Sequence, residues 1–238
     1  INGDGSIRMI YQGTSANEKG TRTQIRTSDF NNSANNNMYV GYMYQSGQLH
    51  GLQTSSTIKG ILDNWYTNNI ENEEKNLHYG QYIDGNAGFC GDRRVSSGKG
   101  TGTSETDYQP YTRIRNSSPS LSCEKADIYT IDEFEHGNGA LTYPIGLISA
   151  DEAMFAGISY SGTNQNNYLC TGQHYWTMSP YYFNGSDALV VVVTGSCGLD
   201  YDGFVNYADG VRPVINLKSA ITITGSGSKT DPFKLSVE

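Results

Sequence analysis

The chain has no basic excess, no long apolar run and no closely spaced cysteine pair, and each absence removes a class of function. Lys and Arg number 16 against 24 Asp and Glu, a formal net charge of −8. Such a surface has no positive field to gather nucleic-acid phosphates or anionic lipid headgroups, so neither is an expected partner. No apolar stretch approaches the roughly 20 residues of a membrane span, so direct membrane insertion of this chain is not expected. The chain opens at Ile1 with neither a methionine nor a basic signal region, which reads as a trimmed or processed fragment lacking an upstream strand and anchor. Cys90, Cys123, Cys170 and Cys197 match no C-x-x-C metal or redox spacing. Disulfides are the expectation, in an extracellular or cell-surface setting, with three pairings open.

Metal and catalytic motifs are equally thin. His50, His78, His136 and His174 are scattered, with no second His or Cys at ligand spacing. Asp200-Tyr201-Asp202-Gly203 begins like a calcium loop, but Val211 stands where the bidentate Glu belongs. A hairpin turn is the better reading; no metal or other cofactor is expected, and calcium has no supporting motif. Gly98-Lys99-Gly100-Thr101-Gly102 lacks the Gly-Lys-Ser/Thr ending of a phosphate loop and reads as flexible. Gly157-Ile158-Ser159-Tyr160-Ser161-Gly162 follows a helix, where a nucleophile elbow must precede one. Glu71, Glu73, Glu74 and Asp132, Glu133, Glu135 read as solvated acidic faces. No enzymatic activity is expected, although a cleft in the irregular middle would revive one.

What the chain does contain is glycine, asparagine and tyrosine, the last numbering 18. That vocabulary, over 238 residues, predicts one α+β domain of short strands and turns spanning residues 1–238. Ile7, Met9 and Tyr11 alternate after a turn and read as the second half of a hairpin. Residues 38–44 read as a strand. Ser55 or Ser56 caps a helix over 56–69, in which Ile58, Ile61, Leu62 and Trp65 recur at helical spacing. Ser149, with Glu152 as capping-box partner, starts a short helix over 150–157. Residues 84–140 lack periodicity and read as mostly irregular loop, which needs staples that Cys90 and Cys123 could supply.

From Tyr175 onward the pattern becomes β, with an apolar run over 188–193, then Val211, Pro213, Ile215 and Leu217 alternating with polar residues. Residues 221–237 read as a closing hairpin. If Ala188, Val190 and Val192 point inward, Leu189, Val191 and Val193 lie on the opposite face beside Phe204, Asn206 and Tyr207. That arrangement predicts an exposed apolar-aromatic patch, which a monomer rarely carries without a partner. Tyr175 and Trp176 read as core, whereas Tyr181, Tyr182, Tyr201 and Tyr207 stand beside turn residues and read as surface. Tyr interspersed with Asn, Ser and Gly is the composition of antibody-like contact surfaces, because Tyr offers a large amphipathic contact at low entropy cost. The candidate ligand-binding set within 174–217 is therefore Tyr181, Tyr182, Phe183, Asn184, Asp187, Leu189, Val191, Val193, Leu199, Tyr201, Phe204, Asn206 and Tyr207.

The segments Gly172-Gln173-His174-Tyr175-Trp176-Thr177-Met178-Ser179-Pro180 and Gly210-Val211-Arg212-Pro213-Val214-Ile215-Asn216-Leu217 resemble a C-type-lectin-like family related to the formylglycine-generating-enzyme fold. The likeness extends to Asp63-Asn64-Trp65-Tyr66, Phe89-Cys90, Leu141-Thr142-Tyr143-Pro144-Ile145-Gly146 and Thr230-Asp231-Pro232-Phe233. It implies two short helices around twisted antiparallel sheets, as in the C-terminal domains of bacterial pilin-like surface proteins. It further implies that Cys90 pairs with Cys123, while Cys170 and Cys197 stay open. The oxidase activity does not carry over, because Cys170 and Cys197 are too far apart to match that enzyme's close cysteine pair. Some relatives are variable proteins of diversity-generating retroelements, and the stretch 181–207 resembles their variable region, with Trp176, Arg212 and Pro213 as scaffold. The expected function is recognition of a protein or glycan ligand on another cell or surface, or, as the alternative, self-assembly as a pilin-like structural subunit.

Overall fold

The computed structural model describes residues 5–15, 17–200, 203–228 and 230–235. It is a mixed α+β fold with few short helices and several sheets. The elements that position the site are β1 (Ile7–Ile10), β2 (Arg26–Ser28), α1 (Thr57–Asn69), β3 (Val95–Gly98), β4 (Thr106–Tyr108) and α2 (Gln109–Arg115). They continue with α3 (Ala150–Phe155), β5 (Tyr175–Phe183), β6 (Ala188–Val193), β7 (Leu199–Asp200), β8 (Asp209–Val211) and β9 (Val214–Leu217).

Local chemistry explains the helix starts. The Ser56 hydroxyl accepts the Lys59 amide at 3.2 Å, and Ile58, Leu62 and Tyr66 of α1 enter the core. At α3 the Ser149 hydroxyl accepts the Glu152 amide while the Glu152 carboxylate accepts the Ser149 amide, a complete capping box. Helix α2 lies where irregular loop was expected. It is seven residues long with Pro110 in its first turn, too short for a periodic signal, and packs Ile114 inward. The strand expected over 38–44 is also shorter: Asn37–Val40 is a 3₁₀ turn capped by the Asn36 side chain, and only Met43–Tyr44 pairs. The expected closing hairpin is present as Ile223–Thr224 paired with Lys234–Leu235; Val237 lies outside the described residues.

A seven-stranded sheet is built around β5. One edge of β5 carries β6, antiparallel. Its other edge is shared by β8, parallel at Tyr175, and β4, antiparallel at Tyr182 and Phe183. Between these two, the Met178 amide donates to the Ile148 carbonyl at 2.9 Å, so the chain entering α3 fills the gap. Pro180 has no amide to give, and the β5–β6 register shifts on both sides of it. Strand β7 pairs with β6, β2 with β8, and β3 with β4. Strand β1, read as half of an upstream hairpin, pairs among the described residues with β9, Ile7 facing Leu217 and Ile10 facing Val214.

Disulfides join Cys90 to Cys123 and Cys170 to Cys197, at Cα separations of 6.1 and 5.2 Å. Their presence fits an oxidising extracellular environment. No helix among the described residues is long and apolar enough to cross a membrane.

The expected exposed face of β6 is not there. All six residues of Ala188–Val193 are fully buried. An unbroken apolar run, without polar alternation, is what a strand covered on both faces requires, and the period-2 reading of an outward face fails for that reason.

Candidate functional site

Pairing across four neighbouring segments sets one row of side chains. Asp107 of β4 faces Tyr182 of β5, Tyr182 faces Leu189 of β6, and Leu189 faces Phe204. Directly opposed residues of antiparallel strands project from the same face, so Asp107, Tyr182, Leu189 and Phe204 share one. Leu189 is fully buried, and the other three are half-buried.

Phe204 belongs to a strap, residues 203–209, that leaves the outer edge of β6 and crosses to the far edge of β5. At its start the Val190 amide donates to the Gly203 carbonyl at 2.9 Å, and the Val205 amide to the Ala188 carbonyl at 3.1 Å. Gly203 permits this approach. A Cβ there would stand 2.1 Å from the Val190 carbonyl oxygen and 2.9 Å from the Trp176 ring. Val205 is fully buried and its carbonyl accepts the Asn31 amide at 2.8 Å. At the far end the Gly210 amide donates to the His174 carbonyl at 3.0 Å.

Between these anchors Asn206, Tyr207 and Ala208 are exposed, Tyr207 by 58%. The Phe204 and Tyr207 rings are 5.0 Å apart at 34°, and the Tyr207 amide donates to the Phe204 carbonyl at 2.9 Å. His174, Phe204, Tyr207, Ala208 and Asp209 line an open cavity of about 490 Å³.

The expected scaffold residues are all buried, and Trp176 lies under Gly203 of the strap. Trp176 is fully buried, packs edge-on against Phe30 at 5.7 Å and donates its indole N–H to the Ser28 carbonyl at 2.8 Å. Arg212 is buried with its guanidinium 4.6 Å from the Tyr175 ring centre, donating to the carbonyls of Tyr11 at 3.0 Å and Leu169 at 3.2 Å. Pro213, also buried, accepts the Tyr11 amide on its carbonyl at 2.8 Å.

A second cavity, about 370 Å³, opens at the other end of the row and is lined by Ser97, Glu105, Asp107, Tyr182 and Asn184. The Asp107 carboxylate accepts the Ser97 hydroxyl at 2.8 Å. Asn184 shapes the β5–β6 turn by accepting the amides of Ser186 at 2.9 Å and Asp187 at 2.7 Å on its side chain. Tyr182 sits 5.4 Å from Tyr181, whose ring packs 4.4 Å from Tyr111. Burial and a hydrogen bond with Tyr160 push the Tyr181 hydroxyl well above its ordinary pKa.

The predicted ligand-binding residues thus divide. Tyr182, Asn184 and Asp187 reach the surface at one end, and Phe204, Asn206 and Tyr207 at the other. Tyr181, Phe183, Leu189, Val191, Val193 and Leu199 are buried, against the expectation of a surface site, although Phe183 lines the cavity beside Tyr182. They were misread because a neighbouring turn or a two-residue period says nothing of a cover that comes from distant chain, such as the Asn37–Val40 turn beside β6 and Tyr111 beside Tyr181. Tyr201 and Asp202 lie outside the described residues. Sequence reasoning missed His174, Ser97, Glu105 and Asp107. The alternation Thr106, Asp107, Tyr108, with both neighbours of Asp107 buried, was the signal available for one of them.

Among the described residues no group of three His, Cys, Asp or Glu side chains is placed to hold a metal ion. What the arrangement offers is aromatic surface, hydrogen-bond acceptors and a rigid base. No family model, curated protein or solved structure matches this chain.

Proposed function

We propose that this chain is a non-enzymatic, extracytoplasmic recognition domain with a C-type-lectin-like fold, presenting the strap 203–209 and the row beside it to a ligand on another cell or surface. The observation that carries this reading is the half-buried Phe204 packed beside the exposed Tyr207, on a strap whose Gly203 and Val205 are fixed to β6. Exposed aromatic surface on prepaid backbone order is what lowers the entropy cost of binding. The same division of labour suits a retroelement-diversified protein, in which outward positions change while the buried frame stays constant.

Sequencing codons 174–217 across a natural population tests this. Substitutions are expected at His174, Phe204, Asn206 and Tyr207, with Trp176, Gly203, Val205, Arg212 and Pro213 unchanged. An even spread over buried and exposed codons would remove the diversification reading.

One observation favours a second reading, an assembly subunit. Met9, Leu121, Phe155 and Tyr168, exposed by 45, 69, 59 and 68%, line a single cavity of about 360 Å³ beside the Arg8–Glu152 ion pair. Apolar side chains gathered this way mark an interface more often than chance exposure does. Light scattering of the wild type and of Phe155→Asp decides it: an oligomer that the substitution dissociates supports assembly, and a monomer in both removes it.

A further inference from the structure

We propose that Asn184, in the turn between β5 and β6, is a modification site, where the side-chain amide is lost spontaneously through a succinimide formed with Gly185. The site stands on its own chemistry and does not depend on what the neighbouring face binds.

Asn-Gly occurs at 2–3, 138–139 and 184–185, the first outside the described residues. The reaction needs a backbone amide nitrogen free to attack, a polarised side-chain carbonyl and a leaving amide that nothing holds. Glycine shields that nitrogen least, because it has no side chain. At Asn138 the structure ties down every participant. The Asn138 Nδ2 donates to the Ala126 carbonyl at 3.0 Å, its Oδ1 accepts the Ala140 amide at 3.0 Å, and the Gly139 amide donates to the Thr130 hydroxyl at 3.1 Å.

At Asn184 only the carbonyl is held, and it is held in the activating sense. Its Oδ1 accepts the amides of Ser186 at 2.9 Å and Asp187 at 2.7 Å. Among the described residues, neither the Asn184 Nδ2 nor the Gly185 amide has a partner. Gly185 has φ +92°, a backbone conformation that selects glycine, and the following Ser186 is exposed, so water reaches the turn.

The steps balance. The Gly185 nitrogen attacks Asn184 Cγ and gives its proton to solvent, while negative charge gathers on Oδ1, where the two amides stabilise it as an oxyanion hole does. The Cγ–Nδ2 bond then breaks, and Nδ2 takes up a proton and departs as ammonia, closing the succinimide. Water opens the ring at either carbonyl to give aspartate or isoaspartate. Both products place a third carboxylate in the cavity lined by Glu105 and Asp107, and isoaspartate also lengthens the backbone of the turn by a methylene.

The test follows the folded chain and its reduced, urea-unfolded form in mildly alkaline buffer. Peptide mapping after cleavage at aromatic residues separates Asn138 from Asn184, and each event adds about 1 Da. Relative to the unfolded chain, folding is expected to slow Asn138 at least about tenfold and to leave Asn184 within about twofold or faster. Asn184→Gln, whose longer side chain closes a ring slowly, is expected to remove the acidic form from that fragment, with thermal melts verifying its fold. Protection of Asn184 as strong as that of Asn138 overturns the proposal, as do equal rates at both in the folded chain. An acidic form of the same fragment that persists in Asn184→Gln also overturns it.

Discussion

Two regions of this molecule are held together by different forces. The β5–β6 pair and its strap are held by hydrocarbon: Trp176, Met178 and the whole of Ala188–Val193 are buried, with no charged side chain among them. The segment from Cys90 to Asp151 is held by buried charge and a disulfide. Asp127, fully buried, accepts the Arg93 amide at 2.6 Å, the Arg93 Nε at 2.8 Å and His50 Nδ1 at 3.1 Å. Arg93 in turn donates to the carbonyls of Met43 at 2.8 Å and Gly51 at 3.0 Å. Nearby, Arg113 bridges Asp92 and Asp151, at 2.8 and 2.7 Å. Apolar packing degrades in proportion to what is removed, whereas a buried ion loses far more when its partner goes than the pair ever contributed. The first region makes the base under the proposed recognition strap, and the second ties distant loops to it.

The largest expected effect comes from breaking the charged region. Asp127→Ala leaves the Arg93 guanidinium buried and uncompensated, and is expected to cost about 4 kcal/mol in urea unfolding. Replacing both partners, Asp127→Leu with Arg93→Met, is expected to restore most of that loss. If the double variant is no better than the single, the Arg93 contacts to Met43 and Gly51 dominate and the comparison must be redrawn. Leu189→Ala comes next, at about 3 kcal/mol from lost burial and a residual cavity, with no dependence on salt. A salt-sensitive loss there would deny that the sheet is held by hydrocarbon alone. Gly203→Ala follows, at about 2 kcal/mol, because the new methyl meets the Val190 carbonyl and must push the strap outward. Its binding loss is expected to exceed its stability loss, whereas Tyr207→Ala at an exposed site is expected to change stability by less than about 0.5 kcal/mol.

The contrast also governs what could be read from the chain. Signals that act within a few residues were legible: the Ser56 cap, the Ser149–Glu152 capping box and the β run from Tyr175. The pairing of Cys90 with Cys123 also came, through a likeness to a known family. Features made by distant contacts were not legible. The unbroken apolar run around Leu189 and Val191 marks a strand covered on both faces without saying which distant segment covers it, and nothing near Glu105 announces that β4 will dock beside Tyr182. The pairing of Cys170 with Cys197 stayed open for the same reason, since spacing alone allows several partners. The proposed recognition surface was therefore half visible: its aromatic members stand out by composition, and the carboxylates beside Tyr182 arrive by topology.

The smallest expected effect is a pH dependence that only the charged region should show. The hydrogen bond to Asp127 raises the His50 pKa, against desolvation and the Arg93 charge and with help from Glu124, whose carboxylate is 3.9 Å from Nε2. Burial pushes Asp127 upward, but the His50 hydrogen bond and the Arg93 charge outweigh it and leave the carboxyl below its ordinary range. The signs follow from linkage. Because protonated His50 is favoured in the folded state, its contribution is complete below its unfolded pKa of about 6.5 and is lost as pH rises through the raised folded value. The Asp127 contribution is present above about 3.9 and is lost as pH falls through its lowered value. Unfolding midpoints are thus expected to peak in mildly acidic solution and decline above neutrality, and His50→Gln is expected to flatten only the alkaline decline. His50 is partly exposed, so solvent screens the contact and the slope is shallow. A wild-type midpoint unchanged across the His50 titration, followed by NMR on the same samples, would mean that Arg93 alone satisfies Asp127. The charged region would then resist pH as the sheet does, and salt would be the one variable left to tell the two apart.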